Sequence, residues 1–300
     1  MQLRPYQIDG ITRIKTQLRQ GAKSCVLVAP TGSGKTVVSS EIMRSAVQKG
    51  SNILFLAHRI ELITQTCDKL SSFDLQHKIY APEKDIRMIT QKQVKKYGKS
   101  RVDPFAKIAV GTVQTVSRRL DKITPPDLII IDETHLAIAN SYQKVREAFP
   151  KAILIGLTAT PCRLDGRGLG EMFEKITVLA TAQEIADMGF LVPFRAFSAS
   201  ETVNLANIKT TMGDYDKKQL AEEMEKPRLI GNAVDHYKKL SHKRPAIAFC
   251  VSVKHAEQTA AAFRAAGYKS IAVSGESSSD ERTAAIDGLA TGEYDVVCNC

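Results

Sequence analysis

No run of about 18 apolar residues, the length a helix needs to cross a bilayer, occurs anywhere in this chain of 300 residues. Its opening, Met1-Gln2-Leu3-Arg4-Pro5-Tyr6, lacks the apolar core of a signal peptide. Neither a membrane span nor export is expected, and the chain reads as cytoplasmic. The six cysteines at 25, 67, 162, 250, 298 and 300 form no Cys-x-x-Cys pair. That spacing argues against structural zinc and against a disulfide framework, and cysteines within apolar runs behave as small buried hydrophobes. Low-complexity tracts and an evident internal repeat are also missing.

What is present is enough for real cores: 43% of the residues are apolar, and the length suits two domains. The formal net charge of +10 is unevenly spread. Residues 1–200 hold 29 Lys/Arg against 18 Asp/Glu, while 201–300 hold 13 against 14. Any polyanion therefore faces the first part, although basic balance alone also serves solubility.

The organising stretch is Ala29-Pro30-Thr31-Gly32-Ser33-Gly34-Lys35-Thr36, between the apolar run Cys25–Val28 and the helical pattern Val37, Val38, Ile42, Met43. Glycines at 32 and 34 let backbone N–H groups turn inward around phosphate oxygens. Lys35 adds a point charge for the β/γ-phosphates, and the Thr36 hydroxyl suits Mg²⁺. The strict pattern asks for glycine where Ala29 stands. Farther on, Leu128-Ile129-Ile130-Ile131 ends in Asp132-Glu133-Thr134-His135. A carboxylate pair at a strand tip supplies the remaining parts of phosphoryl transfer: Asp132 for the metal, Glu133 to polarise the attacking water.

Three further apolar runs, 53–57, 108–111 and 153–157, are short, unalternating and separated by helical patterns. That is how strands buried on both faces of a parallel sheet read. Each ends in polar residues, so the motifs gather at the carboxyl edge where open α/β sheets bind ligands. The residues at this edge carry paired readings. Gln7 is either a bidentate partner for adenine or a solvated helix residue. Arg59 contacts a nucleic-acid phosphate or belongs to an ordinary helix-opening turn. Thr158 and Thr160 are helix caps or hydroxyls that relay nucleotide state from the carboxylates. Residues 84–101, with Lys84, Arg87, Lys92, Lys95, Lys96, Lys99 and Arg101 against Asp85, form a basic face or a merely solvated excursion.

From about 181 the pattern changes. Residues 196–228 are polar and read as a connection, and 229–300 begin a second parallel α/β unit with strands expected at 246–251, 270–273 and 294–298. The expected domains are 1–195, an ATP-binding domain, and 229–300, a partial second one.

With these residues in place, the whole chain resembles the superfamily 2 DExH-type helicases and translocases, of the DEAD/DEAH-box kind, whose fold is two RecA-like P-loop NTPase domains. The Arg-Pro-Tyr-Gln opening, Leu-Ala-His-Arg at 56–59 and Gly-Leu-Thr-Ala-Thr-Pro-Cys-Arg at 156–163 are most similar to RadD-like proteins and restriction-enzyme motor subunits, which tilts the partner towards DNA rather than RNA. The resemblance implies ATP and Mg²⁺ held by Gln7, Pro30, Thr31, Gly32, Ser33, Gly34, Lys35, Thr36 and Asp132, with Lys35 and Glu133 catalytic. It implies coupling through His135, Thr158 and Thr160, and nucleic-acid contacts from Arg59, Thr112, Gln114 and Ser252. The family's Gln-x-x-Gly-Arg-x-x-Arg motif, whose arginine reaches the γ-phosphate, does not occur in this sequence. A C-terminal remainder or a second subunit is expected to supply it. The expected activity is an ATP-dependent DNA helicase or translocase. The alternatives are a nucleotide-gated nucleic-acid binding module with little catalysis, and an ATPase whose partner is protein.

Overall fold

The computed structural model describes residues 2–134, 140–161, 168–170, 172–198, 205, 208–211, 214–241 and 243–300. They fall into two compact units, Met1–Phe194 and Arg195–Cys300.

The first unit runs α1 (Pro5–Arg19), β1 (Ser24–Val28), α2 (Lys35–Gln48), β2 (Ile53–Ala57), α3 (Ile60–Ser72), β3 (His77–Tyr80), α4 (Glu83–Tyr97), β4 (Ile108–Thr112), α5 (Val113–Val116), β5 (Leu128–Ile131), α6 (Asn140–Ala148), β6 (Ile153–Thr158), β7 (Lys175–Val178) and α7 (Ala182–Asp187). Its seven strands form one parallel sheet in the order β3-β4-β2-β5-β6-β1-β7. Side chains alternate across each strand, so both faces need cover. Leu27, Phe55, Val110, Ile130 and Ile155 pack with Ile14, Val38, Ile63 and Ile89 from α1 to α4. Val26, Leu54, Ala109, Ile129 and Leu154 point the other way, onto Val113, Val116, Tyr142 and Val145 of α5 and α6. Each Val, Leu, Ile or Phe among them contributes about 1.5–3 kcal/mol on burial, which is why the central runs contain almost no polar residue.

The five continuous apolar runs are the five inner strands. The edge strands β3 and β7 escape that reading for a physical reason. His77-Lys78-Ile79-Tyr80 alternates between buried and half-buried, and Lys175-Ile176-Thr177-Val178 buries only Thr177. A strand with one neighbour and partial cover has no need of an unbroken apolar run.

Beside β3, the buried His77 ring lies in a fixed polar network. Its Nδ1 lies 2.9 Å from the Leu75 carbonyl and its Nε2 3.1 Å from Gln93 Nε2. The Gln93 amide is oriented by Ser100 and Arg101, which both donate to its Oε1. Nδ1 therefore carries the proton and Nε2 accepts, an arrangement that protonation would turn into N–H facing N–H. Burial lowers the His77 pKa below its ordinary 6.5, against a smaller opposing effect of the Leu75 carbonyl. The unfolded chain then binds the extra proton first, so stability is full above the unfolded value and falls as pH drops through about 6.5. Thermal melts between pH 8 and 5 (about one and a half units either side of that value) should show the fall, and a His77→Gln variant a flatter profile; equal slopes would remove His77 as its cause.

The second unit runs β8 (Thr210–Thr211), β9 (Asp214–Tyr215), α8 (Lys217–Met224), α9 (Pro227–Leu240), β10 (Ala246–Phe249), α10 (Val253–Ala265), β11 (Ser270–Val273), α11 (Ser279–Thr291) and β12 (Val296–Asn299). Three parallel strands in the order β10-β12-β11 form its sheet. Val234, Tyr237, Ala256, Ala260 and Phe263 cover one face, and Ala285 packs with Val273 and Val297 on the other. The polar stretch 196–228, read from the sequence as a connection, contains α8, which the Asp216 side chain caps by accepting from Gln219 N–H. Among the described residues no helix is long and apolar enough to cross a membrane.

Candidate functional site

Three neighbouring strands, β5, β6 and β1, deliver the phosphate loop, the carboxylates and Thr158 to one sheet edge. Gly32 and Gly34 take φ of 81° and 87°, a left-handed region that other residues enter at a cost, and Gly34 is the cap from which α2 starts. Two left-handed glycines ahead of a helix start make the frame of an anion cradle. A Cβ on Gly34 would lie 2.6 Å from Gln7 Nε2. Ala29 has no positive φ and its methyl is fully buried, while its N–H donates to the Thr158 carbonyl at 2.9 Å. The departure from glycine there costs nothing because the position extends the sheet.

Lys35 Nζ reaches back to the Ala29 carbonyl at 3.3 Å, across the loop. The Ser33 hydroxyl is buried without a hydrogen-bond partner among the described residues. An orphaned donor, two left-handed glycines and an inward lysine fit a phosphate chain. Thr36 opens α2 half-buried, and Pro30 and Thr31 complete the loop with Thr31 exposed.

Gln7 is buried, which excludes the solvated reading. Its Oε1 accepts from Arg4 N–H at 3.0 Å and its Nε2 donates to the Ser33 carbonyl at 2.9 Å. Tyr6 OH donates to the same carbonyl at 3.0 Å. The first helix is therefore tied to the phosphate loop twice. Phe190, beyond α7, stacks against this corner: the Arg4 guanidinium lies 4.6 Å from its ring centre and the Tyr6 ring 5.8 Å. Leu191 closes over Gly32, where an added Cβ would lie 2.8 Å from Cδ2. Sequence reading missed Phe190 and Leu191, because nothing local marks residues so far along the chain as neighbours of Arg4 and Gly32.

At the tip of β5, Glu133 has φ 50° and donates its N–H to Asp132 Oδ1 at 3.1 Å. A left-handed glutamate costs on the order of 1–2 kcal/mol, strain of the kind that collects at functional sites. Thr134, also passed over in the sequence, is fully buried and donates its hydroxyl to the carbonyls of Ile131 at 3.1 Å and Leu157 at 2.9 Å. It fastens the carboxylate turn to β6. Tyr142 of α6 has a buried OH with no partner among the described residues; burial first, and then the Asp132 carboxylate, push its pKa up. Thr158 is fully buried, donates its hydroxyl to the Thr160 carbonyl at 2.8 Å and accepts from Thr160 N–H. His135 lies outside the described residues.

The edge continues to β2 and β4. Arg59 is exposed at the cap of α3. Thr112 caps α5, accepting from Thr115 N–H, and Gln114, two residues on, is exposed. Ser252 belongs to the second unit, where it caps α10 and donates to Glu225 at 2.6 Å. A cavity of about 570 Å³ lined by Lys23, Arg146, Phe149 and Leu154 opens at the opposite, amino edge of the sheet and shares none of these residues.

Comparison with known proteins adds to this geometry. The family described as type III restriction enzyme, res subunit, matches residues 1–163. A "51.5 kDa protein" of Lactococcus phage (isolate 7-9) is 28% identical over 274 residues, covering 91% of this chain and 54% of that protein. The "DNA 3'-5' translocase XPB2" of Sulfurisphaera tokodaii is 27% identical over 168 residues, 56% of this chain and 33% of the relative. The Hef helicase domain of Pyrococcus furiosus has the same fold, with TM-score 0.54 and 17% identity over 99% of this chain and 85% of that one. The chain spans about half the length of the curated relatives it matches most fully.

Proposed function

The chain belongs to the family of type III restriction enzyme res subunits, and on that premise we propose that it works as an ATP-dependent DNA helicase or translocase of the DExH type. The observation that carries this reading is the union at one sheet edge of a left-handed glycine cradle, Lys35 and the Asp132-Glu133 turn.

In this reading the loop N–H groups and Lys35 hold the phosphates, and Gln7 with Tyr6 fixes the loop's register from below. Thr36 and Asp132 would hold Mg²⁺, which would supply positive charge against the phosphates. Glu133 orients water for attack on the γ-phosphate and takes its proton. Because the Thr158 carbonyl receives the Ala29 N–H and Thr134 ties the carboxylate turn to β6, a shift of loop or turn is passed to Thr158 and Thr160. Arg59, Thr112 and Gln114, on the neighbouring strand ends, contact the nucleic-acid backbone, and Ser252 does so from the second unit. DNA is favoured because the Sulfurisphaera relative is named a DNA translocase. The arginine that acts on the γ-phosphate comes from a further stretch of polypeptide or a second subunit.

The test is ATP turnover with and without single-stranded DNA. Stimulation by DNA is the expected result. Turnover indifferent to DNA would leave an ATPase with another partner, and absence of nucleotide binding would remove the reading altogether.

A further inference from the structure

The basic stretch 84–101 resolves into a specific surface. Lys84, Lys92 and Lys95 fall within about 80° of arc on α4 at 3.6 residues per turn, flanking the side that buries Ile89 and Gln93. The stretch's other cations are matched: Arg87 pairs with Glu83, Lys96 with Asp68 at 2.8 Å, and Lys99 and Arg101 with Asp74. Among the described residues Lys84, Lys92 and Lys95 have no acidic partner. Lys92 and Lys95, with Lys96, Thr64, Gln65 and Asp68, line a groove of about 560 Å³ between α3 and α4. The remaining carboxylates of the two helices' first turns, Glu61 and Asp85, do not line it.

A helix that only needs solubility mixes its signs, because like charges three and four residues apart weaken it. Here the unpaired cations crowd beside a concavity that also presents an exposed amide, Gln65. The groove lies along a helix that starts at the edge already described. Arg59 caps α3, and Gln65 follows about 9 Å down the same axis at 1.5 Å per residue. Three lysines against one carboxylate, with the exposed Gln65 amide beside them, select a phosphodiester backbone as the occupant.

We propose that the α3/α4 groove is a second backbone-binding site, which grips the nucleic-acid strand beyond Arg59 through Lys92, Lys95 and Gln65. This rests on the reading of the first unit as a nucleic-acid motor.

The experiment is fluorescence anisotropy of the 300-residue chain with a labelled single-stranded oligo-dT over a salt series. Lys92→Glu with Lys95→Glu should weaken binding by about tenfold or more and flatten the slope of log K against log salt by about 1.4, since each phosphate contact on a single strand contributes about 0.7. Lys92→Gln with Lys95→Gln should act in the same direction and less strongly. Asp68→Asn frees Lys96 and should tighten binding and steepen the slope, a gain that a damaged fold does not produce. Thermal melts by circular dichroism identify any variant that has lost its fold, and the neutral and Asp68 variants then decide. Wild-type affinity and slope in these variants, with binding lost in Arg59→Ala, would overturn the groove and leave the motor reading standing. No binding of oligo-dT by the wild type at low salt would overturn both.

Discussion

Replacing Glu133 by glutamine is expected to leave ATP binding nearly intact and to cut turnover by about 10²–10⁴-fold, the range for a positioned general base. The substitution keeps size, shape and backbone, so the cost of holding φ at 50° is the same in both proteins and the Asp132 contact through the Glu133 N–H survives. What disappears is the negative charge that, in the proposed function, orients the water and takes its proton. Asp132 remains for the metal and Thr134 still fastens the turn to β6. Phosphate release with and without single-stranded DNA, beside a nucleotide-binding titration, separates the two effects. Turnover within about tenfold of wild type, roughly 1.4 kcal/mol of barrier, would take the water-positioning role away from Glu133. Joint loss of binding and turnover would mean that the turn itself had collapsed.

Lys35→Ala should act on the other side of that division. A hydrogen bond to a charged group contributes about 1.5–3 kcal/mol, which corresponds to roughly 10–150-fold in affinity. Turnover should fall at least as far, because the same ammonium faces the charge that builds up on the transferred group. Among the described residues the ammonium's one hydrogen bond is the long contact with the Ala29 carbonyl, so the fold has little to lose. Calorimetric titration with ATP, accompanied by a thermal melt, checks both halves of the expectation. Unchanged affinity would place the phosphates elsewhere than the cradle of Gly32 and Gly34.

The two variants together also test the coupling between loop and carboxylates. The ladder from Ala29 to Thr158, and the Thr134 bridge to Leu157, make β6 the common neighbour of both motifs. A nucleotide held without hydrolysis in Glu133→Gln should therefore keep its influence on DNA affinity, whereas Lys35→Ala should lose it.

The legible parts were those in which a residue's role depends on its neighbours in the chain. Gly32, Gly34 and Lys35 follow a buried strand and open a helix, and that local arrangement is enough to make a phosphate cradle. Continuous apolar runs marked the five inner strands, because a strand covered on both faces has no solvent side to signal. Asp132 and Glu133 stood out for the same reason, as charges placed directly after Leu128–Ile131.

Where a role depends on a distant partner, the sequence was silent. Gln7 is indistinguishable from a solvated helix residue until the Ser33 carbonyl is seen beside it. Thr134, passed over in the sequence, is a bridge between two strands, because its hydroxyl finds a carbonyl 23 positions away. Phe190 and Leu191 reach Arg4 and Gly32 only through the crossing of β7 beside β1. The basic stretch could be counted but not interpreted, since the acids that neutralise Lys96, Lys99 and Arg101 come from α3 and the turn after it. The chemistry of the cradle was thus written into local order. Which side chains hold it in register, and which cations stay free to meet a ligand, was decided by tertiary contacts, because hydrogen bonds and ion pairs form between neighbours in space.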